Sequence, residues 1–231
     1  MILLLAPMRI ELNAVVRAFR LERDGDVHAG RLPDGTAVTA AMIGVGPAVS
    51  GASTERLLAA HGDVERAVVV GVAGGIDERF GIGDVIVPEV VVDASSGRSF
   101  TVPAAATGAL RASGRMITSG EMLTGADNLA RLRGEGYAAI DMETSAVAAA
   151  CEARGVPWCA IRSVSDTLAD ELADDDTLSL LRPDGTTDPR AVVRLLRRRP
   201  LAVRTLAKLG RDTKRATSAA AAAAMLACRP A

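Results

Sequence analysis

Residues Ile140 to Asp166, IDMETSAVAAACEARGVPWCAIRSVSD, decide the fold. The apolar run Ala138–Ile140 stops at Asp141-Met142-Glu143, as a strand does at its carboxyl end. From about Thr144 the spacing of Val147, Ala150 and Cys151 predicts a helix with one buried face, and Gly155-Val156-Pro157 ends it. Trp158–Val164 is an apolar run whose only charge is Arg162, the pattern of a strand buried on both faces. Strand, helix, strand in this order implies an α/β sheet with helices packed on it. Two carboxylates, Glu143 and Asp166, then stand at the carboxyl ends of two strands, where open α/β sheets hold ligands.

The two acids differ in setting. Glu143 opens a helix, and the positive end of the dipole favours an ionised carboxylate there. Such a carboxylate accepts two hydrogen bonds, for instance from a sugar diol. Met142 beside it offers a soft apolar surface. Asp166 leaves a buried strand, where partial burial would raise its pKa and let it hold a proton for use as a general acid. Taken singly, each has an ordinary reading as a first-turn acid or a cap. Their pairing beside Met142 favours a site.

Upstream, Met1–Ala6 reads as a buried first strand and Pro7-Met8-Arg9-Ile10 as its turn. Glu11 opens a helix with Leu12, Val15, Val16 and Phe19 on one face, a third acid at a strand–helix junction. Residues 27–43 read as an antiparallel hairpin turning at Pro33-Asp34-Gly35. Gly44-Val45-Gly46-Pro47 leads into a helix to about Ala60. It lacks the third glycine and the distal acid of a dinucleotide fingerprint, so it reads as a close-approach loop. Ala67–Val70 is a buried strand, followed by a loop at Gly71-Val72-Ala73-Gly74-Gly75, whose backbone N–H groups suit a sugar or an anion.

Several of these segments together resemble the superfamily of purine nucleoside phosphorylases and methylthioadenosine/adenosylhomocysteine nucleosidases. They are Asp141-Met142-Glu143, the Arg-x-x-Ser-Asp of 162–166, the Gly-x-Ala-Gly-Gly of 71–75 with Gly83-Asp84-Val85-Ile86-Val87-Pro88 after it, and Thr118-Ser119-Gly120-Glu121-Met122-Leu123. The resemblance implies a single-domain three-layer α/β/α fold with a central mixed sheet. It implies that Met142 and Glu143 grip ribose, and that Asp166, steadied by Ser165, protonates N7 of the departing purine. By position Glu11 orients the attacking water. Met8, Val72 and Gly74 line the site, and Leu123 stands where the family usually has an aromatic against the base. Val72 replaces a common serine, and the loop lacks the hydroxyl and guanidinium that would hold phosphate. Water is therefore the expected nucleophile, and a phosphorylase with phosphate held by Arg9 is the alternative. No cofactor is implied, phosphate being a co-substrate only in that alternative. Family members imply a homo-oligomer.

The totals fit one such domain. The chain has 231 residues, 49% hydrophobic and 24% charged, with net charge −1, which speaks against nucleic acid as a partner. Aromatics are 2%, too few for a base-stacking platform. Cys151, Cys159 and Cys228 have no metal or redox spacing and suit a reducing cytoplasm, and His28 and His61 are too scattered for a zinc site, so no metal is expected. No signal peptide and no run of about 18 apolar residues is present.

Past the acidic stretch Asp170–Asp188, with its Asp174-Asp175-Asp176, the charge reverses. We divide the chain into a catalytic domain, 1–189, and a basic amphipathic helical tail, 190–231, of two helices parted by Pro200. The tail either docks on the domain or lies on anionic membrane, which would place the protein at the inner membrane face through residues 190–215. Ser218–Ala231, rich in alanine, is expected to fray. Leu181-Arg182-Pro183-Asp184-Gly185, Asp188 and the basic helix ending in Arg198-Arg199-Pro200 resemble the hopanoid-associated phosphorylases. That resemblance implies release of adenine from adenosylhopane, a lipid-linked nucleoside. A non-catalytic nucleoside-binding or membrane-associated scaffold is the reading from another class.

Overall fold

The computed structural model describes residues 1–121, 125–167 and 202–229. Leu123, the acidic stretch 170–188, the division at 189/190 and the first basic helix lie outside the described residues.

The chain builds β1 (Ile2–Ala6), α1 (Arg9–Phe19), β2 (Glu22–Asp24), β3 (Val27–Arg31), β4 (Ala37–Met42) and α2 (Pro47–Ala60). There follow β5 (Arg66–Gly75), β6 (Val85–Ile86), β7 (Val90–Asp93), β8 (Ser99–Thr101) and β9 (Arg115–Thr118). Then come α3 (Ala126–Gly134), β10 (Tyr137–Asp141), α4 (Thr144–Ala153), β11 (Trp158–Thr167) and α5 (Ala202–Ala227). The strands form one mixed sheet in the order β2-β3-β4-β1-β5-β10-β9-β7-β8, with β11 parallel to β5 and antiparallel to β6. Helices pack on this sheet, so the architecture is α/β with a central mixed sheet, as the strand–helix–strand stretch requires.

Burial follows the sequence pattern. Leu3, Leu5, Val68, Val69, Cys159, Ala160 and Ile161 have no exposed surface, because β1, β5 and β11 are covered on both faces. The hairpin at 27–43 forms as β3 and β4, and β2 adds a third strand at its edge. Gly71–Gly75 is not a loop. β5 continues through it, because β11 pairs with it as far as Thr167–Gly75 and keeps the glycines in the ladder.

The alanine-rich end also departs from expectation. It does not fray. Ala216, Ala220, Ala221, Ala223, Ala224 and Ala227 are buried, and α5 packs on β11, β5 and α1. Their spacing makes a continuous stripe along one face, and the small side chain lets the helix lie close to the sheet. Alanine is also the strongest helix former. At about 0.8 kcal/mol for each buried methyl, these six alanines contribute about 5 kcal/mol. The helix runs antiparallel to β5 and β11. Ala227 lies against Gly108, while Arg215 lies over Gly83, whose N–H bonds the carbonyl of Val164 near the carboxyl end of β11.

Candidate active site

The carboxyl ends of β1, β5, β10 and β11 meet around one buried cation, Arg162, which has no exposed surface. Its Nη2 donates to Asp141 Oδ2, to Thr144 Oγ1 at 3.0 Å and to Glu143 Oε2 at 3.3 Å. Nη1 lies beside Glu11: a Cβ on Gly71 would fall 2.3 Å from Glu11 Oε1 and 2.5 Å from Arg162 Nη1. Only glycine at 71 lets both groups crowd that point on β5.

Glu11 sits in the first turn of α1, 2% exposed. Its Oε2 accepts the N–H of Met8 at 2.7 Å and its Oε1 the N–H of Val72 at 2.8 Å. Pairing between β1 and β5 ends at Leu5–Val69, so the carboxylate takes over beyond the end of the shorter strand. Burial pushes its pKa from 4.5 up to about 7; Glu143 adds to the rise, while Arg162 and the two amides oppose it.

Glu143 caps α4 and is 5% exposed. Its Oε1 accepts the N–H of Gly46 at 3.1 Å. Gly46 holds φ 88° immediately before Pro47 starts α2, a left-handed turn that glycine adopts without strain. The close-approach loop thus approaches Glu143. Burial pushes the Glu143 pKa up to about 6, and Asp141 adds to this while Arg162 opposes it. The helix dipole alone favours an ionised Glu143, but desolvation works the other way and is larger.

Asp166 is half-buried at the end of β11. Ser165 Oγ donates to its Oδ1 at 2.6 Å. The β5–β11 ladder slips by one residue between Val164 and Asp166, so Asp166 rather than Ser165 stands opposite Gly74. This bulge turns Asp166 to the face that strict alternation would deny it. A Cβ on Gly74 would lie 3.3 Å from Asp166 Oδ2. Gly74 also pairs with Ile140, which brings the β10 end to the same place.

The expected residues therefore gather in two linked groups. Glu143 bonds Arg162, and Glu11, held by the N–H groups of Met8 and Val72, lies beside it; Ser165, Asp166 and Gly74 form the other group. Val72 and Gly74, two residues apart on β5, link the groups over about 7 Å of strand. Met142 is half-buried between Asp141 and Glu143. Arg9 is exposed in the first turn of α1.

Arg162, Asp141 and Thr144 received no role from the sequence. The signal for Arg162 was present: a lone cation in an otherwise apolar strand must find buried carboxylates. The cysteines are buried, and desolvation pushes their pKa values up to about 12 for Cys151 and Cys159 and about 11 for Cys228, so none is an activated nucleophile. Among the described residues no group of three or more His, Cys, Asp or Glu could hold a metal ion, and no helix is long and apolar enough to cross a membrane.

Residues 3–198 match the family model of the phosphorylase superfamily. The chain belongs to that superfamily. Among solved structures, the phosphorylase-superfamily chain is similar to the futalosine hydrolase of Helicobacter pylori strain 26695, with a TM-score of 0.70 and 18% identity over 98% of this chain and 96% of that one. The 5'-methylthioadenosine/S-adenosylhomocysteine nucleosidase from Neisseria meningitidis, in complex with methylthio-immucillin-A, gives a TM-score of 0.69 at 18% identity over 98% and 97% of the two chains. The corresponding nucleosidase from Colwellia psychrerythraea, in complex with adenine, gives 0.69 at 18% over 98% and 93%. At this identity the likenesses establish the fold. No curated protein matches the chain.

Proposed function

We propose that this chain is a purine nucleosidase that hydrolyses the N-glycosidic bond of a 5'-substituted adenosine. The observation that carries the reading is the convergence of Glu11 and Glu143 on Arg162, with Asp166 one short step along β5. Solved relatives that are nucleosidases, one of them holding adenine, support it.

Glycosidic cleavage passes through an oxocarbenium-like sugar, so the site must stabilise positive charge and neutralise a departing base. Asp166 donates its proton to N7 of the purine as the bond to the sugar breaks. Glu143 accepts the 2'- and 3'-hydroxyls and sets negative charge near the cation, with Met142 against the sugar face. Glu11 takes a proton from water as its oxygen attacks the sugar. Both Glu11 oxygens already accept an amide, but a carboxylate has about four acceptor positions, so capacity remains for water. A pKa near neutrality suits a base working at neutral pH. Ser165 orients the Asp166 carboxyl.

Water is the proposed nucleophile because Val72 brings no hydroxyl to the β5 end. Arg9 is the candidate phosphate ligand of the competing phosphorylase reading. Chromatographic release of adenine, with and without phosphate, is the test. Release without phosphate supports the nucleosidase. Phosphate-dependent release with ribose-1-phosphate identifies a phosphorylase, and no release from any 5'-substituted adenosine identifies a binding scaffold. Asp166→Asn should abolish release, by about 10²–10⁴-fold for a lost general acid, while the fold survives.

For the substrate we propose adenosylhopane, on the resemblance of residues 181–200 to hopanoid-associated phosphorylases. Lys208, Arg211, Lys214 and Arg215 are exposed on α5, with Asp212 paired to Lys208 at 3.1 Å. This charge supports a peripheral contact of residues 190–215 with an anionic membrane, at its cytoplasmic face, from which a lipid-linked nucleoside would be drawn. We also propose that the enzyme works as a homo-oligomer without a cofactor; sedimentation velocity tests the first point and chelator-treated activity the second.

A further inference from the structure

We propose that Thr118 is a positioning residue that holds Glu143 and Glu11 in working order through Asp141 and Arg162. The inference about catalysis rests on the nucleosidase reading; the inference about geometry does not.

Thr118 ends β9, in register with Asp93 of β7 on one side and Asp141 of β10 on the other. It is 1% exposed. Its Oγ1 accepts the N–H of Ser145 at 3.0 Å. A hydroxyl has a single proton, and Asp141 Oδ1 stands 2.6 Å away to accept it. The direction of the bond is therefore fixed. The other Asp141 oxygen accepts from Arg162 Nη2 and from Thr144. Arg162 Nη2 then donates to Glu143 Oε2, while Nη1, which has no hydrogen-bond partner among the described residues, sits across Gly71 from Glu11. At the outer end, Ser145 Oγ donates to Asp93 Oδ2, and Asp93 is itself held by Ser95 and Ser96.

The result is a continuous polar chain from a surface turn, through Thr118, to Glu143, with Glu11 reached only through the charge of Arg162. Thr118, Ser145, Asp141, Thr144, Arg162 and Glu143 are all buried. Buried polar chains have few alternative arrangements, so removing one member leaves the next without its fixed partner. Thr118 touches neither glutamate. What it fixes is the carboxylate that fixes the guanidinium. The groups facing Arg162 are Asp141 and Glu143 from the β10–α4 junction and Glu11 from α1, and Arg162 draws the pKa of both glutamates down against burial.

The test compares Thr118→Val, which keeps the shape and loses the hydroxyl, with Thr118→Ser, which keeps the hydroxyl. The first readout is an NMR titration of carboxyl carbons in the ¹³C-labelled full chain. In Thr118→Val the Glu11 and Glu143 midpoints should rise, because Arg162 is less firmly anchored, and in Thr118→Ser they should return to the wild-type values. The second readout is kcat and KM for adenosine-nucleoside cleavage. Thr118→Val should lose on the order of 10–100-fold in kcat/KM, the range of lost orienting hydrogen bonds at other sites, and its acidic pH limb should move up. Thr118→Ser should recover both. A general loss of stability would not move the titration midpoints. If Thr118→Val does not fold, Thr118→Ala gives the same comparison. A folded variant without the hydroxyl that titrates like wild type overturns the proposal, as does a Thr118→Ser that is as impaired as Thr118→Val. A wild type that shows the titration pattern but releases no base would refute the nucleosidase reading and leave the positioning role standing.

Discussion

Replacing Arg162 with methionine keeps most of the stem volume and removes the only cation bonded to Asp141 and Glu143 among the described residues. All the groups involved are buried. Breaking a buried pair by removing one partner costs about 3–5 kcal/mol, because the other charge is left unpaired. The cost should depend on pH in a definite direction. At pH 5, Glu11 and Glu143, with pKa values near 7 and 6, are mostly protonated in the wild-type fold, so little of their charge is lost with the arginine. At pH 8 both are ionised, and without Arg162 both pKa values rise. The variant then holds protons that the wild type has released, and its stability falls more steeply with pH. Retaining a proton to pH 8 spans one pH unit for Glu11 and two for Glu143, so at about 1.4 kcal/mol per unit the extra deficit has a ceiling of about 4 kcal/mol. Urea unfolding at pH 5 and pH 8, with linear extrapolation, measures both terms. Adding Asp141→Asn to Arg162→Met should restore part of the loss, with a coupling of about 0.5–3 kcal/mol. A deficit below about 1 kcal/mol, or one equal at the two pH values, would refute the assignment of Arg162 as the electrostatic centre of the site.

Four further outcomes are expected. kcat/KM should rise with pH through about 7 as Glu11 loses its proton, and Glu11→Gln should remove that limb from the pH–rate profile. For stability the same group has the opposite sign: between 4.5 and about 7 the folded chain holds the proton that the unfolded chain has lost, so wild-type urea midpoints should fall as pH rises across that window. Ala220→Leu keeps helix propensity but has no room at a position with no exposed surface, and should cost about 1–3 kcal/mol by thermal unfolding; an unchanged midpoint would mean that α5 is not core. Reversing Lys208, Arg211 and Lys214 to Glu should abolish sedimentation with anionic vesicles while leaving cleavage of a soluble nucleoside intact, and vesicle binding that survives the reversal would remove the membrane from the proposal.

What the sequence made legible depended on how local the signal was. β1, α1, α4 and β11 follow from apolar spacing and helix punctuation, because each of those cues acts within a few residues. The acids at strand ends were legible for the same reason: a run of Val, Ile and Ala that stops at Asp or Glu marks a carboxyl end. α5 was expected as the second basic helix, but the burial of its alanine-rich half was not, because alanine carries almost no hydrophobic signal, and the stripe that buries it appears only when helix phase and a partner sheet are both known. Gly71–Gly75 misled in the other direction, since glycine runs usually mark loops, and what holds this one in the ladder is a distant strand, β11.

The most consequential step lies beyond local reading altogether. Counting by twos from Arg162 puts Asp166 on the arginine's own face of β11, shut in with the buried ion pairs. One extra residue in the ladder, between Val164 and Asp166, reverses that. Asp166 stands opposite Gly74, half-buried, while Arg162 stays sealed among carboxylates. The same strand thus carries a buried cation bonded to Glu143 and, four positions on, a half-buried acid on the other face. Under the proposed mechanism neither role survives exchange of the faces: an exposed Arg162 would lose its grip on Glu143, and a sealed Asp166 would have no base to protonate. If shortening β11 by one residue at Ser165 left base release unimpaired, the bulge would not be what sets the acid in place.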